Sequence, residues 1–225
     1  MLDLALFGTV LPPLLRSAQL TMALTGTIVL AGALLAMPVA LAANASYRSV
    51  RWVAQAYMLF FRGTPALVQL FLLYYGPGQF EVVRASSLWP LLRDPFWCVV
   101  FALALNSAAY AGKTLGAGLA AVPRGTREAA RMLGLQRYQT FWRIAMPLAL
   151  RTALPALGND VLLTCKATSL ASTVTLLEHT GTARLLASET YAPVEVFVGA
   201  GAVYLAINYT LMVGLRRLEA RLRLP

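Results

Sequence analysis

Charge is scarce in this chain. Only 12% of its 225 residues are Asp, Glu, Lys or Arg, against 59% hydrophobic, where a soluble domain carries about 25% charged residues. A chain so short of polar groups cannot cover its apolar surface in water, so lipid is the solvent its composition implies. Acids are the scarcest charges, nine against nineteen Lys and Arg, for a net charge of +10. That excess does not mark a nucleic-acid module, because the basic residues fall between long apolar runs and make no basic face. Histidine occurs once, at His179, which leaves almost no room for a multi-histidine metal site or a Ser-His-Asp triad. The two cysteines, Cys98 and Cys165, lie in different apolar runs with neither metal-ligand nor disulfide spacing, and read as small core hydrophobes. No G-x-x-x-x-G-K-[ST] phosphate loop is present. A cleaved leader is not expected either: the small residues from Pro38 to Ala45 mimic a cleavage site, but the apolar run before them far exceeds the roughly 7–15 residues of a signal core.

What is abundant is long apolar sequence. A membrane-spanning helix needs about 20 mostly apolar residues, and five windows qualify: Ser17–Ala43, Val53–Tyr75, Phe96–Gly118, Leu148–Ala171 and Ala192–Leu215. The fourth is the least clean, holding Arg151, Asp160 and Lys166, with Pro155 and Gly158 predicting a break. No interval between windows is long enough for a soluble domain, so residues 1–225 read as one all-α membrane domain. Loop charge sets the orientation. Arg48, Arg51, Arg124, Arg127, Arg131, Arg137, Arg143, Arg216, Arg217, Arg221 and Arg223 fall on one side, against Arg16, Arg84, Arg93 and Arg184 on the other. The first side is expected to be cytoplasmic, with the N-terminus outside and the C-terminus inside. Trp52, Trp89, Trp97 and Trp142 fall near span ends and read as interfacial anchors.

The longest cytoplasmic loop, about residues 119–147, looks ordered. Pro123 and Gly125 punctuate it, Thr126 reads as an N-cap, and Glu128 then falls in the first helical turn, where the dipole favours a carboxylate. Ala130 and Gly134 read as i, i+4 neighbours on a small-residue stripe that another surface could approach closely. A basic helix resting on anionic lipid explains the same residues equally well.

Glu128-Ala129-Ala130, then Gly134, Ile144 and Pro147, matches the EAA loop of ATP-binding-cassette (ABC) importer permeases, written EAA-x3-G-x9-I-x-L-P, with Met146 in place of the usual Leu. Arg62-Gly63-Thr64-Pro65 followed by Leu67-Val68-Gln69-Leu70-Phe71, Asn106-Ser107-Ala108-Ala109-Tyr110, Leu154-Pro155-Ala156 with Asn159, and Lys166-Ala167-Thr168-Ser169-Leu170 resemble the polar-amino-acid branch of that family. Tyr191-Ala192-Pro193 with Glu195 and Phe197 is similar to its histidine, basic amino-acid and opine members. The resemblance runs from Thr21 to Tyr209. The chain departs from the branch at Lys113, Gly116 and Thr126, where Glu, Arg and Gln are usual.

The resemblance implies a type I ABC importer permease fold in a bacterial inner membrane, a second permease subunit (identical or paralogous), two cytoplasmic ATPase subunits and an extracytoplasmic substrate-binding protein. ATP and Mg would sit on the ATPase, and this chain would bind no cofactor, catalyse nothing and touch lipid but no nucleic acid. The ATPase-coupling residues would be Glu128, Ala129, Ala130, Gly134, Ile144 and Pro147. For the substrate path the spans offer Asp160, Asn159, Lys166, Thr168, Ser169, Gln69, Asn106 and Tyr110. Ionisable groups within a span default to a functional or paired role, and Asp160 is the foremost candidate. Lys166 either joins the path or snorkels outward. Gln69, Asn106 and Tyr110 either line the path or bond helix to helix. Arg62 reads chiefly as a snorkelling residue at the inner end of the second helix. The implied cargo is a polar, more cationic than acidic, L-amino acid. An ion-coupled secondary transporter would explain the intramembrane charges but not the loop from Glu128 to Pro147.

Overall fold

Long helices make up most of this chain, because a backbone in lipid must satisfy its polar groups within the segment. The computed structural model describes residues 4–222, and no strand occurs among the described residues. Arg223, one of the arginines expected on the inner side, lies outside them. Helix α1 spans Leu4–Ala43. It starts well before the expected Ser17 and runs unbroken through Pro12 and Pro13, although each proline removes a backbone hydrogen bond. Tertiary packing outweighs that loss: Val10 and Leu14 are fully buried against Ala183, Val196 and Ala200.

The second expected span is not one helix. Helix α2 (Arg48–Gly63) and helix α3 (Ala66–Tyr75) meet at a bend of 101°. The cause is Thr64-Pro65. Pro65 has no N–H to continue the ladder, and Thr64 is forced into extended backbone (φ −115°, ψ 147°), as the residue before proline prefers. After two one-turn helices, Glu81–Arg84 and Trp89–Leu92, helix α4 spans Pro95–Ala121. Pro95 occupies its first turn and the Asp94 carboxylate accepts from the Phe96 N–H at 2.8 Å.

Helix α5 (Arg124–Met132), a one-turn helix (Arg137–Thr140) and a π-helical turn (Phe141–Ala145) lead into helix α6, Met146–Ala167. The break expected at Pro155 and Gly158 does not occur; α6 passes through both and tightens only at Thr168–Val174 into a 3-10 segment. Helix α7 (His179–Thr190) follows a 51° bend, and helix α8 (Pro193–Leu222) closes the fold. Among the described residues, three helices, α1 from Leu6, α4 and α8, are each long and apolar enough to cross a membrane, and counting each bent pair as one span raises the number to five.

Helix α4 is the central post. Between helices in lipid, close van der Waals approach supplies what the hydrophobic effect supplies in water. Small residues permit it: a Cβ on Gly112 would come within 2.8 Å of Val39 Cγ1 on α1, and one on Gly118 within 2.6 Å of the Ala149 carbonyl oxygen on α6. Apolar clusters hold the two ends, Leu24, Ile28, Leu70, Val99 and Val174 at one, and Ala40, Leu115, Leu119, Met146 and Ala149 at the other. Cys98 and Cys165 are buried free thiols, as expected of core hydrophobes.

Candidate functional site

Polar residues at helical spacing meet in a seam between α4 and α6. Asn106, Ser107 and Tyr110 on α4 face Asp160, Leu163, Thr164 and Ala167 on α6, and together with Leu103 they line a cavity of about 190 Å³. Asp160 is half-buried, and its carboxylate accepts from the Thr114 hydroxyl at 3.4 Å. Arg62 reaches the seam at Tyr110. Its guanidinium carbon lies 5.2 Å from the centroid of the Tyr110 ring, within cation–π range. This corrects the reading of Arg62 as a snorkelling residue at the inner end of its helix. It occupies the last turn of α2, about 21 Å along the axis from Arg48, and meets the seam at Tyr110.

The other path candidates divide. Gln69 serves the bend: its amide nitrogen donates to Phe61 O at 2.9 Å, Thr64 O at 3.0 Å and Thr64 Oγ1 at 2.7 Å. Its Oε1 accepts from Asn106 Nδ2, which also donates to Phe61 O. Asn106 therefore both lines the cavity and ties α4 to the broken backbone. Asn159 and Lys166 are exposed and do not line the cavity. The hydroxyls of Thr168 and Ser169 are spent on the carbonyls of Cys165 and Lys166. Sequence reasoning missed Ser107, Thr114 and Thr164. The available signal was their register, four or eight residues from Leu103, Asn106 and Asp160.

The loop from α5 to the π-helical turn is built differently from expectation. Pro123, not Thr126, is the N-cap of α5, so Glu128 lies beyond the first turn. Ala130 is buried within the chain, and Gly134 does not share a helical stripe with it. Gly134 has φ +82° and closes α5 as a Schellman turn: its N–H donates to Arg131 O at 2.9 Å and the Leu135 N–H to Ala130 O at 3.1 Å. The exposed side of α5 instead carries Glu128, Ala129 and Met132, with Leu133 just beyond, Met132 and Leu133 being 89% and 81% exposed. Ile144 sits half-buried in the π-helical turn and Pro147 in the first turn of α6.

A second polar centre lies where α1, α7 and α8 meet. Glu178 and His179 are fully buried. The Glu178 carboxylate caps α7, accepting from the N–H groups of Thr180 (2.9 Å) and Gly181 (3.0 Å), and from the hydroxyls of Thr21 (3.3 Å) and Tyr204 (3.2 Å). The His179 ring bridges Leu14 O at 2.9 Å and Ala200 O at 3.0 Å.

Residues 28–224 match the family model described as "Binding-protein-dependent transport system inner membrane component". The chain is 44% identical over 209 residues to the nopaline transport system permease protein NocM of Agrobacterium fabrum, covering 92% of this chain and 87% of that one. It is 41% identical over 171 residues to the arginine ABC transporter permease protein ArtM of Escherichia coli, covering 76% of each. Among solved structures, an amino acid ABC transporter with histidines superposes with a TM-score of 0.86 at 31% identity, over 98% of this chain and 99% of that one. The MetNI methionine ABC transporter shares the fold, with a TM-score of 0.77 at 15% identity over 94% of this chain and 97% of that one.

Proposed function

Because this chain belongs to the family of binding-protein-dependent transport system inner membrane components, we propose that the cavity around Asp160 is the passage point for a polar L-amino acid with a cationic side chain. The family makes the chain a membrane permease subunit of an ABC importer, working with a further permease, an ATPase and a binding protein, and itself no enzyme. An ion-gradient carrier is thereby set aside.

The observation that carries the cargo proposal is the charge pair flanking the cavity. Asp160 offers a carboxylate and Arg62, stacked on Tyr110, offers a guanidinium. An amino acid carries both signs, so its α-carboxylate suits Arg62 while a cationic side chain suits Asp160. One cation 4 Å from Asp160 gains up to about 4 kcal/mol at an effective dielectric near 20, and desolvation cancels part of that gain. An acidic side chain would be repelled by a similar amount. The relative named for arginine transport fits this sign.

For coupling, the outer side of α5 is the docking face. Glu128, Ala129, Met132 and Leu133 present it, while Ala130, Gly134, Ile144 and Pro147 shape it from behind. The test of the cargo site is Asp160→Asn in the assembled, reconstituted transporter. Arginine uptake should fall severalfold while basal ATP hydrolysis persists. Unchanged uptake by an intact complex would sink the assignment, and loss of assembly would make Asp160 a helix-pairing residue.

A further inference from the structure

We propose that the cytoplasmic loop holds an anionic phosphate group behind α5, in a cavity separate from the cargo seam. The cavity measures about 330 Å³ and lies between the ends of α1 and α4 and the loop. Asn44, Leu119, Arg127, Arg131, Arg137 and Thr140 line it, and no acidic residue does. Arg127 is committed inward. One terminal nitrogen donates to the Leu119 carbonyl, and its Nε is buried without a partner among the described residues. Arg127 and Arg131 are one helical turn apart and so share a face of α5, whereas Ala129 and Met132 lie on the opposite, exposed side. The basic face therefore turns toward the cavity and leaves the apolar face free.

Three guanidinium groups around one cavity repel one another unless a counter-charge is present. The carbonyl ends of α1 and α4 supply about half a negative charge each, leaving an excess of about two positive charges. A buried, unpartnered Nε is a further expense that a bound acceptor removes. Guanidinium and phosphate match as paired N–H donors and oxygen acceptors. With the arginine-rich loops inside, the cavity lies at the level of the inner-leaflet headgroups, where basic pockets between helices take anionic lipid. An anionic phospholipid is the source this position favours, and free phosphate is the rival.

The test is retention of lipid by the complete transporter, which does not depend on transport and so fails or succeeds independently of the cargo proposal. The complex is held in discs of mixed phosphatidylglycerol and phosphatidylcholine, then released and weighed by native mass spectrometry. The wild type should retain phosphatidylglycerol in preference to phosphatidylcholine. Arg131→Gln with Arg137→Gln, both exposed positions that leave the buried Arg127 in place, should reduce retention about tenfold through the lost charge-assisted bonds. Arg124→Gln with Arg143→Gln removes the same charge from the same loop outside the cavity lining and should leave retention unchanged. In a parallel arm, inorganic phosphate is added to the transporter in phosphatidylcholine alone. Thermal stabilisation there that the Arg131/Arg137 variant loses, without retained phosphatidylglycerol, assigns the site to free phosphate. Equal retention by the two double variants overturns the site, as does the absence of both lipid retention and phosphate stabilisation, which would hand the arginines to an acidic surface of the ATPase.

Discussion

At Gly134 there is room for a side chain but no backbone to carry one. Nothing lies within 4 Å of a Cβ built there, yet φ is +82°. In the left-handed region an ordinary L-residue loses about 1–2 kcal/mol, whereas asparagine is tolerated. Gly134→Leu is therefore expected to disorder the end of α5 and abolish uptake and substrate-stimulated ATP hydrolysis, while Gly134→Asn keeps most of both. Uptake assays on the two variants decide it: equal loss would show that the residue matters for its size at a docking contact rather than for its conformation. From sequence alone the glycine was legible as important and the reason was not, because an i, i+4 spacing looks the same whether a helix continues or stops. Asp160, Asn106 and Tyr110 were legible for a simpler reason: polar groups in apolar runs stand out. Thr114 and Thr164 did not stand out, since threonine hydroxyls in helices usually bond back to their own carbonyls, as Thr164 does to Asp160 O.

Among the elements, α3 and α7 show where hydropathy stops being informative. A window average cannot register the bend at Thr64-Pro65, because apolar residues flank it on both sides. What makes the bend durable is Gln69, which answers carbonyls that the broken ladder leaves open. The apparent break at Pro155, by contrast, is only a proline inside a helix that its neighbours hold straight. Helix α7 is short and lies after a positive-φ residue, Thr175, so it depends on its cap. Glu178 accepts two backbone N–H groups of its first turn and joins them to Thr21 on α1 and Tyr204 on α8. Removing such a cap and leaving buried donors open costs roughly 1–3 kcal/mol. Glu178→Ala should lower the melting temperature of the solubilised transporter clearly, and Glu178→Gln, which keeps one acceptor oxygen, by less. An unshifted melting temperature for Glu178→Ala would remove the capping role assigned to this carboxylate.

On the scale of the whole molecule, one decision fixes the meaning of every site, namely which end faces the cytoplasm. The candidate cargo seam lies partway along α4, and the loop from α5 to the π-helical turn lies beyond its C-terminal end. If that end is inside, α5 is within reach of an ATPase and the Asp160 cavity lies between it and the outer mouth. The helices themselves do not choose, since each is apolar along most of its length; the arginines do. The sequence assigns eleven of the loop arginines to the side of α5 and four to the other, and arginine and lysine in short loops set orientation because they resist translocation. Five spans then require opposite locations for the two termini. A cytoplasm-active reporter fused after Pro225 should be active, and one inserted between Gly76 and Arg93 should be silent. Conversely, an extracytoplasmic reporter should work only in the second position. If the C-terminal fusion proves to be outside, α5 faces away from any ATPase, the docking face assigned to Ala129, Met132 and Leu133 is wrong, and the arginine cavity cannot meet the inner leaflet.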